Sequence, residues 1–353
     1  MRITVFGLTL SSSWGNGHAT LWRGLCRALA KRGHQILFFE RNVPYYAQNR
    51  DLTRWTDGEL ILYEDWTQIK ERARAAMAQA DAVIITSFCP DALPANDLSM
   101  EAAKGLKVFY DLDAPITLTE YQQTGNVAYI PENGLRQFDL VLSFTGGSAP
   151  PLLKRLLGAR EVATLYGHVD PEVHRPSERS ETYAASLSYL GTFASDRQTA
   201  LEHLFVEPAC ALPFKRFLIG GALYPKDFPW APNIHFVRHL PPSEHPRFFS
   251  SSDLTLNITR PSMAEMGFCP SGRLFEAAAC QSPILSDHWS GIEEFFQPDE
   301  EILVVKQRVD VVNALFLDAD ALNGLGAAGR RRALAQHTSE HRAHEFEEII
   351  KHL

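Results

Sequence analysis

MRITVFGLTLSSSWGNGHATLWRGLCRALAKRGHQILFFE, residues 1–40, sets two short β-branched and aromatic runs, ITVFGLTL and HQILFFE, on either side of a helical pattern running from His18 to Arg32. Strands that are apolar along their whole length, joined through a helix, pair in parallel and are covered on both faces. The alternation continues outward. LILY (60–63), AVIITS (82–87), KVFYDLD (107–113), LVLSF (140–144) and EVATLY (161–166) read as further strands, with helical stretches such as DWTQIKERARAAMAQA between them. GHVDPEVHRPSERSETYAAS then breaks the pattern with proline, serine and charge, the composition of a linker. Beyond it SLSYLG, KRFLIGG, IHFVRHL, LTLNITR, SPILSD and EILVV restart the alternation. The expected architecture is α/β, with two Rossmann-like doubly wound domains facing across a cleft. They span residues 1–168 and 186–336, with a hinge over 169–185 and a final helix over 337–353, capped by Thr338 or Ser339, packed on one of them.

The chain has 353 residues, enough to bury two cores, with 45% hydrophobic and 22% charged side chains. Its 34 basic and 42 acidic residues give a net charge of -8, which argues against nucleic acid as a partner. Cys26, Cys89, Cys210, Cys269 and Cys280 form no CxxC pair, so they read as free thiols in a reducing compartment, the cytoplasm. The initial run MRITVFGLTL is too short for a secretion signal or a transmembrane span.

Doubly wound sheets bind ligands at the carboxyl ends of their strands. The first such loop, SSSWGNGHA, has Gly15 and Gly17 for unusual backbone conformations and a helix whose free amides begin near His18. GNGHAT lacks the third small residue of GxGxxG, which disfavours a nicotinamide oxidoreductase. In the second half, LTLNITRPSMAEMGFCPSGRLFEAAACQSPILSDHWSGIEEFFQPDEEILVV (254–305) places one acid, Glu276, in an otherwise small and apolar helical run. A carboxylate among alanines needs a strong partner, and a charge-assisted hydrogen bond contributes about 1.5–3 kcal/mol toward its desolvation.

That block, with SSSWGNGHATLWRGL, RGHQILFFERN, LYGHVDPEVHRP, YLGTFASDRQ and FLIGGALYP, resembles the two-domain glycosyltransferases of GT-B type, and within them the spore maturation protein CgeB-like group. The resemblance implies a hexosyltransferase-like enzyme that moves a sugar from a nucleotide-diphosphate donor to a small-molecule, glycan or protein acceptor. It implies no resident cofactor and no metal. The glutamate near the start of the helix, here Glu276, would take the ribose hydroxyls. Pro270, Ser271, Gly272 and Arg273 would form the helix entrance that meets the diphosphate. Gly191, Thr192, Ser195 and Arg197 would line the first loop of the donor domain, with Arg197 either a phosphate ligand or a helix-surface arginine. Arg238, His239 and Leu240 would approach the base through their backbone, and Arg260 would face the phosphates or cap a strand. The loop Trp14, Gly15, Asn16 and Gly17 would lie on the acceptor side, where His18 and Asp113 are the candidate catalytic residues. Closure across the hinge would keep water from the activated sugar.

Retaining members carry two glutamates eight positions apart; Phe268 stands at the first position and Glu265 is out of register, so the stereochemical outcome does not carry over. Asp111 and Asp113 make a DxD pair, but in the domain opposite the donor, where it is not expected to chelate. His337, His341 and His344 read as one face of the last helix rather than a zinc site, and His34 as a residue opening a strand. The rival readings are a nucleotide-sugar epimerase or phosphorylase on the same fold, and a catalytically silent nucleotide- or glycan-binding protein.

Overall fold

The computed structural model describes all 353 residues, Met1–Leu353, and the chain divides into two compact units. The first comprises Met1–Tyr166 together with Ser339–Leu353; the second is Gly167–Thr338.

In the first unit the strands are β1 (Arg2–Gly7), β2 (Gln35–Arg41), β3 (Glu59–Tyr63), β4 (Ala82–Thr86), β5 (Leu106–Asp111), β6 (Leu140–Ser143) and β7 (Val162–Thr164). The helices are α1 (His18–Lys31), α2 (Pro44–Ala47), α3 (Trp66–Gln79), α4 (Ala92–Ala102), α5 (Ala114–Thr124) and α6 (Ala149–Leu157). All strand pairs are parallel, in the order β3-β2-β1-β4-β5-β6-β7, so the winding reverses between β1 and β4. Trp22 of α1 meets the edges of Phe38 and Tyr110 at 5.6 and 5.9 Å, and Phe6 stacks on Phe39 at 4.6 Å. Each fully buried ring of this kind contributes roughly 1.5–3 kcal/mol.

In the second unit the strands are β8 (Ala185–Leu190), β9 (Phe217–Gly221), β10 (Ile234–Arg238), β11 (Ser252–Asn257), β12 (Ile284–Asp287) and β13 (Leu303–Val305). Its helices are α7 (Gln198–Leu201), α8 (Glu207–Ala211), α9 (His245–Ser251), α10 (Pro261–Met266), α11 (Gly272–Ala279), α12 (Ile292–Phe295), α13 (Arg308–Ala314) and α14 (Ala319–Gln336). The parallel order β10-β9-β8-β11-β12-β13 repeats the winding of the first unit, with its reversal between β8 and β11. A π-helical stretch, Glu202–Val206, joins α7 to α8. Pro208 follows it and has no N–H for the regular ladder, which accounts for the wider turn.

The last helix, α15 (Ser339–Lys351), returns to the first unit, where Ala343 and Phe346 join the cluster around Trp22 and Leu25. No helix is long and apolar enough to cross a membrane.

Three local expectations are corrected. β1 stops at Gly7 instead of running to Leu10, because the backbone amides of Leu10 and Ser11 turn to the buried carboxylate of Glu40. His337 does not share a helix face with His341 and His344: it caps the end of α14, buried, its Nε2 facing the Phe295 carbonyl at 3.2 Å. Gly17 has an ordinary right-handed conformation with open space around its Cα, so it is not a glycine by steric need.

Candidate functional site

In the second unit the reversal point is built by close backbone approach. A Cβ on Gly221 would lie 2.0 Å from the Gly191 carbonyl oxygen, so the ends of β8 and β9 meet only with glycine there. Gly191 donates its amide to Gly220, and its carbonyl accepts the Tyr224 hydroxyl at 3.1 Å. Into this corner comes Arg273, from the first turn of α11. Its Nη1 donates to Asn257 Oδ1 at 2.9 Å, its Nε donates to the Leu190 carbonyl, and its guanidinium lies over the Tyr189 ring at 5.0 Å. One cation thus ties β8 to β11. Burial pulls its pKa down, yet a guanidinium stays charged throughout the range of protein chemistry. Ser271 caps α11, accepting the Arg273 amide, and Gly272 opens the helix with free space beside it.

Arg197 donates from Nη2 to the Thr192 carbonyl at 2.6 Å while its Nε is buried without a partner. Ser195 begins the short 3-10 turn that carries it. Arg260 is committed elsewhere: it forms the N-cap of α10 and pairs with Asp196 at 2.7 Å on the surface. Arg238 ends β10, and His239 follows in a left-handed conformation, φ 47°, donating its amide to Gly221. The Leu240 carbonyl faces His245 Nε2 at 3.3 Å. Phe268 also sits at positive φ, 47°, with its ring against Gly291. An aromatic wedge therefore occupies the position where a first glutamate was sought.

Glu276, 14% exposed, looks out of α11 onto two histidines. Its oxygens lie 3.9 Å from His174 Nε2 and 3.5 Å from His245 Nδ1. Burial alone would raise its pKa, but the charges of His174, His245 and Arg273 outweigh this and hold it at about 2. For His174 burial prevails and lowers the pKa. Asp287, at the end of β12, accepts the amide and hydroxyl of Thr259 at 3.0 Å each; burial dominates there and raises it to about 6. His174, His245 and Asp287 were not singled out from the sequence. The signal for the histidines was indirect, the demand of a buried carboxylate for a cationic partner.

In the first unit the loop after β1 is organised by Glu40, 1% exposed at the end of β2. It accepts the amides of Leu10 and Ser11 at 2.7 and 2.8 Å and the hydroxyls of Ser11 and Thr9 at 2.5 and 3.1 Å. Asp51 accepts the Ser13 amide and a two-pronged Arg23 guanidinium, and those contacts overcome its burial to lower its pKa. Trp14 lies within this loop, its amide facing Ser12 Oγ. Gly15 takes φ 65°, and Asn16, one residue before the N-cap Gly17, accepts the Ala19 amide at 3.2 Å.

His18 and Asp113, far apart in sequence, are brought together, Nε2 to Oδ2 at 3.0 Å. His18 Nδ1 is buried and has no partner. Asp113 is oriented by Asp111, whose Oδ1 accepts the Asp113 amide at 3.1 Å and the Thr117 hydroxyl at 3.0 Å. Asp111 is itself fully buried, and burial raises its pKa to about 7. It supports Asp113 from beneath and does not form an open chelating pair with it. His34 pairs with Glu347 of α15 at 2.7 Å, a structural contact.

This fold is that of the GT-B glycosyltransferases, two parallel Rossmann-like units in one chain. Residues 197–348 match a family model described as glycosyl transferase-like. Among solved structures, sucrose-phosphate synthase from Thermosynechococcus elongatus superposes with TM-score 0.71 at 14% identity, covering 99% of this chain and 98% of that one. HepE from Anabaena, solved with UDP-glucose, gives 0.69 at 11% identity over all of both chains. An alpha-glucosyltransferase solved with UDP gives 0.70 at 13% identity, covering 99% of this chain and 100% of that one. No curated protein matches the chain.

Proposed function

We propose that the chain is a glycosyltransferase that takes a sugar from a nucleotide-diphosphate donor, bound by the second unit, and passes it to an acceptor held by the first. The observation that carries this reading is Glu276, an ionised carboxylate kept on a largely apolar helix less than one turn from the half-buried Arg273 guanidinium. A carboxylate suits the vicinal hydroxyls of a ribose, and a guanidinium beside first-turn amides suits a diphosphate. The family match over residues 197–348 supports the class, and the UDP and UDP-glucose held by similar structures make a uridine nucleotide the first donor to test. Five cysteines that form no disulfide fit the cytoplasm as the working compartment.

In the transfer the bond from the anomeric carbon to the diphosphate oxygen breaks, the acceptor oxygen bonds to that carbon, and the acceptor hydroxyl gives up its proton. Arg273 and Arg197 take up charge on the departing diphosphate, and no metal is assigned to the step. With Asp113 accepting the Nε2 proton, His18 carries its lone pair at Nδ1. In an inverting reaction the His18–Asp113 pair receives the acceptor proton; in a retaining one the diphosphate receives it and His18 holds the sugar or acceptor. Titration with UDP, followed by turnover of UDP-sugars over an acceptor panel with the product anomer read by NMR, tests the reading. A chain that binds no nucleotide diphosphate overturns it. Phe268, in place of the first glutamate, favours a second reading, a silent nucleotide-binding protein, which donor binding with no turnover on any acceptor would establish.

A further inference from the structure

His174, His245 and Glu276 bring three electron-pair donors to one half-buried point of the second unit, and their spacing is informative. His174 Nε2 and His245 Nδ1 are 3.5 Å apart; Glu276 Oε2 stands 3.5 Å from His245 Nδ1 and Oε1 3.9 Å from His174 Nε2, and with one ligand atom taken from each residue the three lie within 4.8 Å of one another. These are long for direct hydrogen bonds, whose usual range is about 2.7–3.2 Å. The two 3.5 Å separations match edges of a tetrahedron around a small cation, since nitrogen and oxygen ligands at about 2.0–2.2 Å from zinc stand roughly 3.3–3.6 Å from one another; the 3.9 Å separation is longer, so a bound cation would draw the carboxylate and His174 together. Octahedral ligation at similar bond lengths would bring neighbouring donors to about 3 Å.

The surroundings fit as well. The His245 Nε2–H faces the Leu240 carbonyl at 3.3 Å, which turns the Nδ1 lone pair toward Glu276 and His174. His174 is 2% exposed, and ligation through its Nε2 puts the ring proton on Nδ1, which is buried and has no partner. We propose that His174, His245 and Glu276 form a zinc site with three protein ligands and an open fourth position. The site lies outside the transfer step assigned above: zinc takes one oxygen of Glu276 and leaves the other to accept a ligand hydroxyl, so the cation fixes the carboxylate that the donor reading uses.

The test uses the untagged full chain and zinc alone. After dialysis against a chelator, titration with zinc takes up one equivalent per chain, and cobalt(II) in its place shows the intense visible bands of tetrahedral coordination. His174→Ala and His245→Ala each weaken zinc binding by about two orders of magnitude or more, and circular dichroism confirms that the variants are folded. If either variant does not fold, His174→Gln or His245→Gln takes its place, and a double variant combines the two substitutions. A stripped wild-type chain that takes up no zinc at micromolar concentration overturns the site, as does one equivalent still bound by the folded double variant. UDP titration of the same samples separates the two readings: zinc uptake without UDP binding keeps the site and removes the transferase, and UDP binding without zinc uptake does the reverse.

Discussion

Replacing Asp111 by Asn removes a titration that the folded first unit resists. Asp111 is fully buried, its Oδ1 accepts from Thr117 and Asp113, and its Oδ2 has no partner. Burial raises its pKa from the ordinary 3.8 to about 7. Between those values the folded chain keeps a proton that the unfolded chain has released. Stability is therefore full below the unfolded value and falls as pH rises toward the folded one. At 1.36 kcal/mol per unit, a shift of about three units makes the whole loss roughly 4 kcal/mol, of which about 2.5 falls between about pH 5 and pH 8. Asn keeps the Oδ1 acceptor and cannot titrate. The wild type should therefore lose about 2.5 kcal/mol more than the variant across that interval. Urea unfolding at the two pH values, followed through hydrogen exchange of peptides from β4 and β5, reads the first unit separately. Parallel losses in the two proteins, agreeing within about 0.5 kcal/mol, would refute the burial argument.

Glu276→Ala should weaken UDP binding by roughly 10- to 100-fold in a folded protein, as measured by calorimetry; unchanged affinity removes it from the ribose. Arg273→Ala should reduce affinity for UDP more than for uridine, and an equal loss for both would show that the guanidinium serves only β8 and β11. His18→Ala should lower turnover by about two orders of magnitude or more with little change in nucleotide affinity, since general-base help supplies ~10²–10⁴-fold. Near-wild-type turnover would leave His18 as packing.

Periodicity carried most of the fold. The ITVFGLTL–helix–HQILFFE alternation gave parallel strands because both runs are apolar on two faces, and α1 begins at His18 as its pattern implies. The end of β1 was not legible, since it depends on Glu40, a residue of the neighbouring strand that becomes its neighbour only after folding. Glu276 could be picked out as an acid out of place in its helix, but its partners could not. His174 lies in a proline-rich stretch and His245 opens a separate helix, and only the winding of the sheet brings them to one point. His18 and Asp113 were each visible as strand-end residues, and their pairing follows from β1 and β5 both ending on the same side of a parallel sheet. The three C-terminal histidines looked like one face because spacing alone does not reveal that α14 stops at Gln336 and a new helix starts at Ser339.

The return of α15 gives the chain an order of assembly. The second unit, Gly167–Thr338, is one continuous segment, whereas the first is closed only by the last fifteen residues, Ser339–Leu353. During synthesis the later-made unit is complete while the earlier-made one still lacks Ala343 and Phe346 from its core. Loss of Ser339–Leu353 therefore damages a part of the chain far away in sequence, the packing around Trp22, and spares the continuous second unit that lies next to it in sequence.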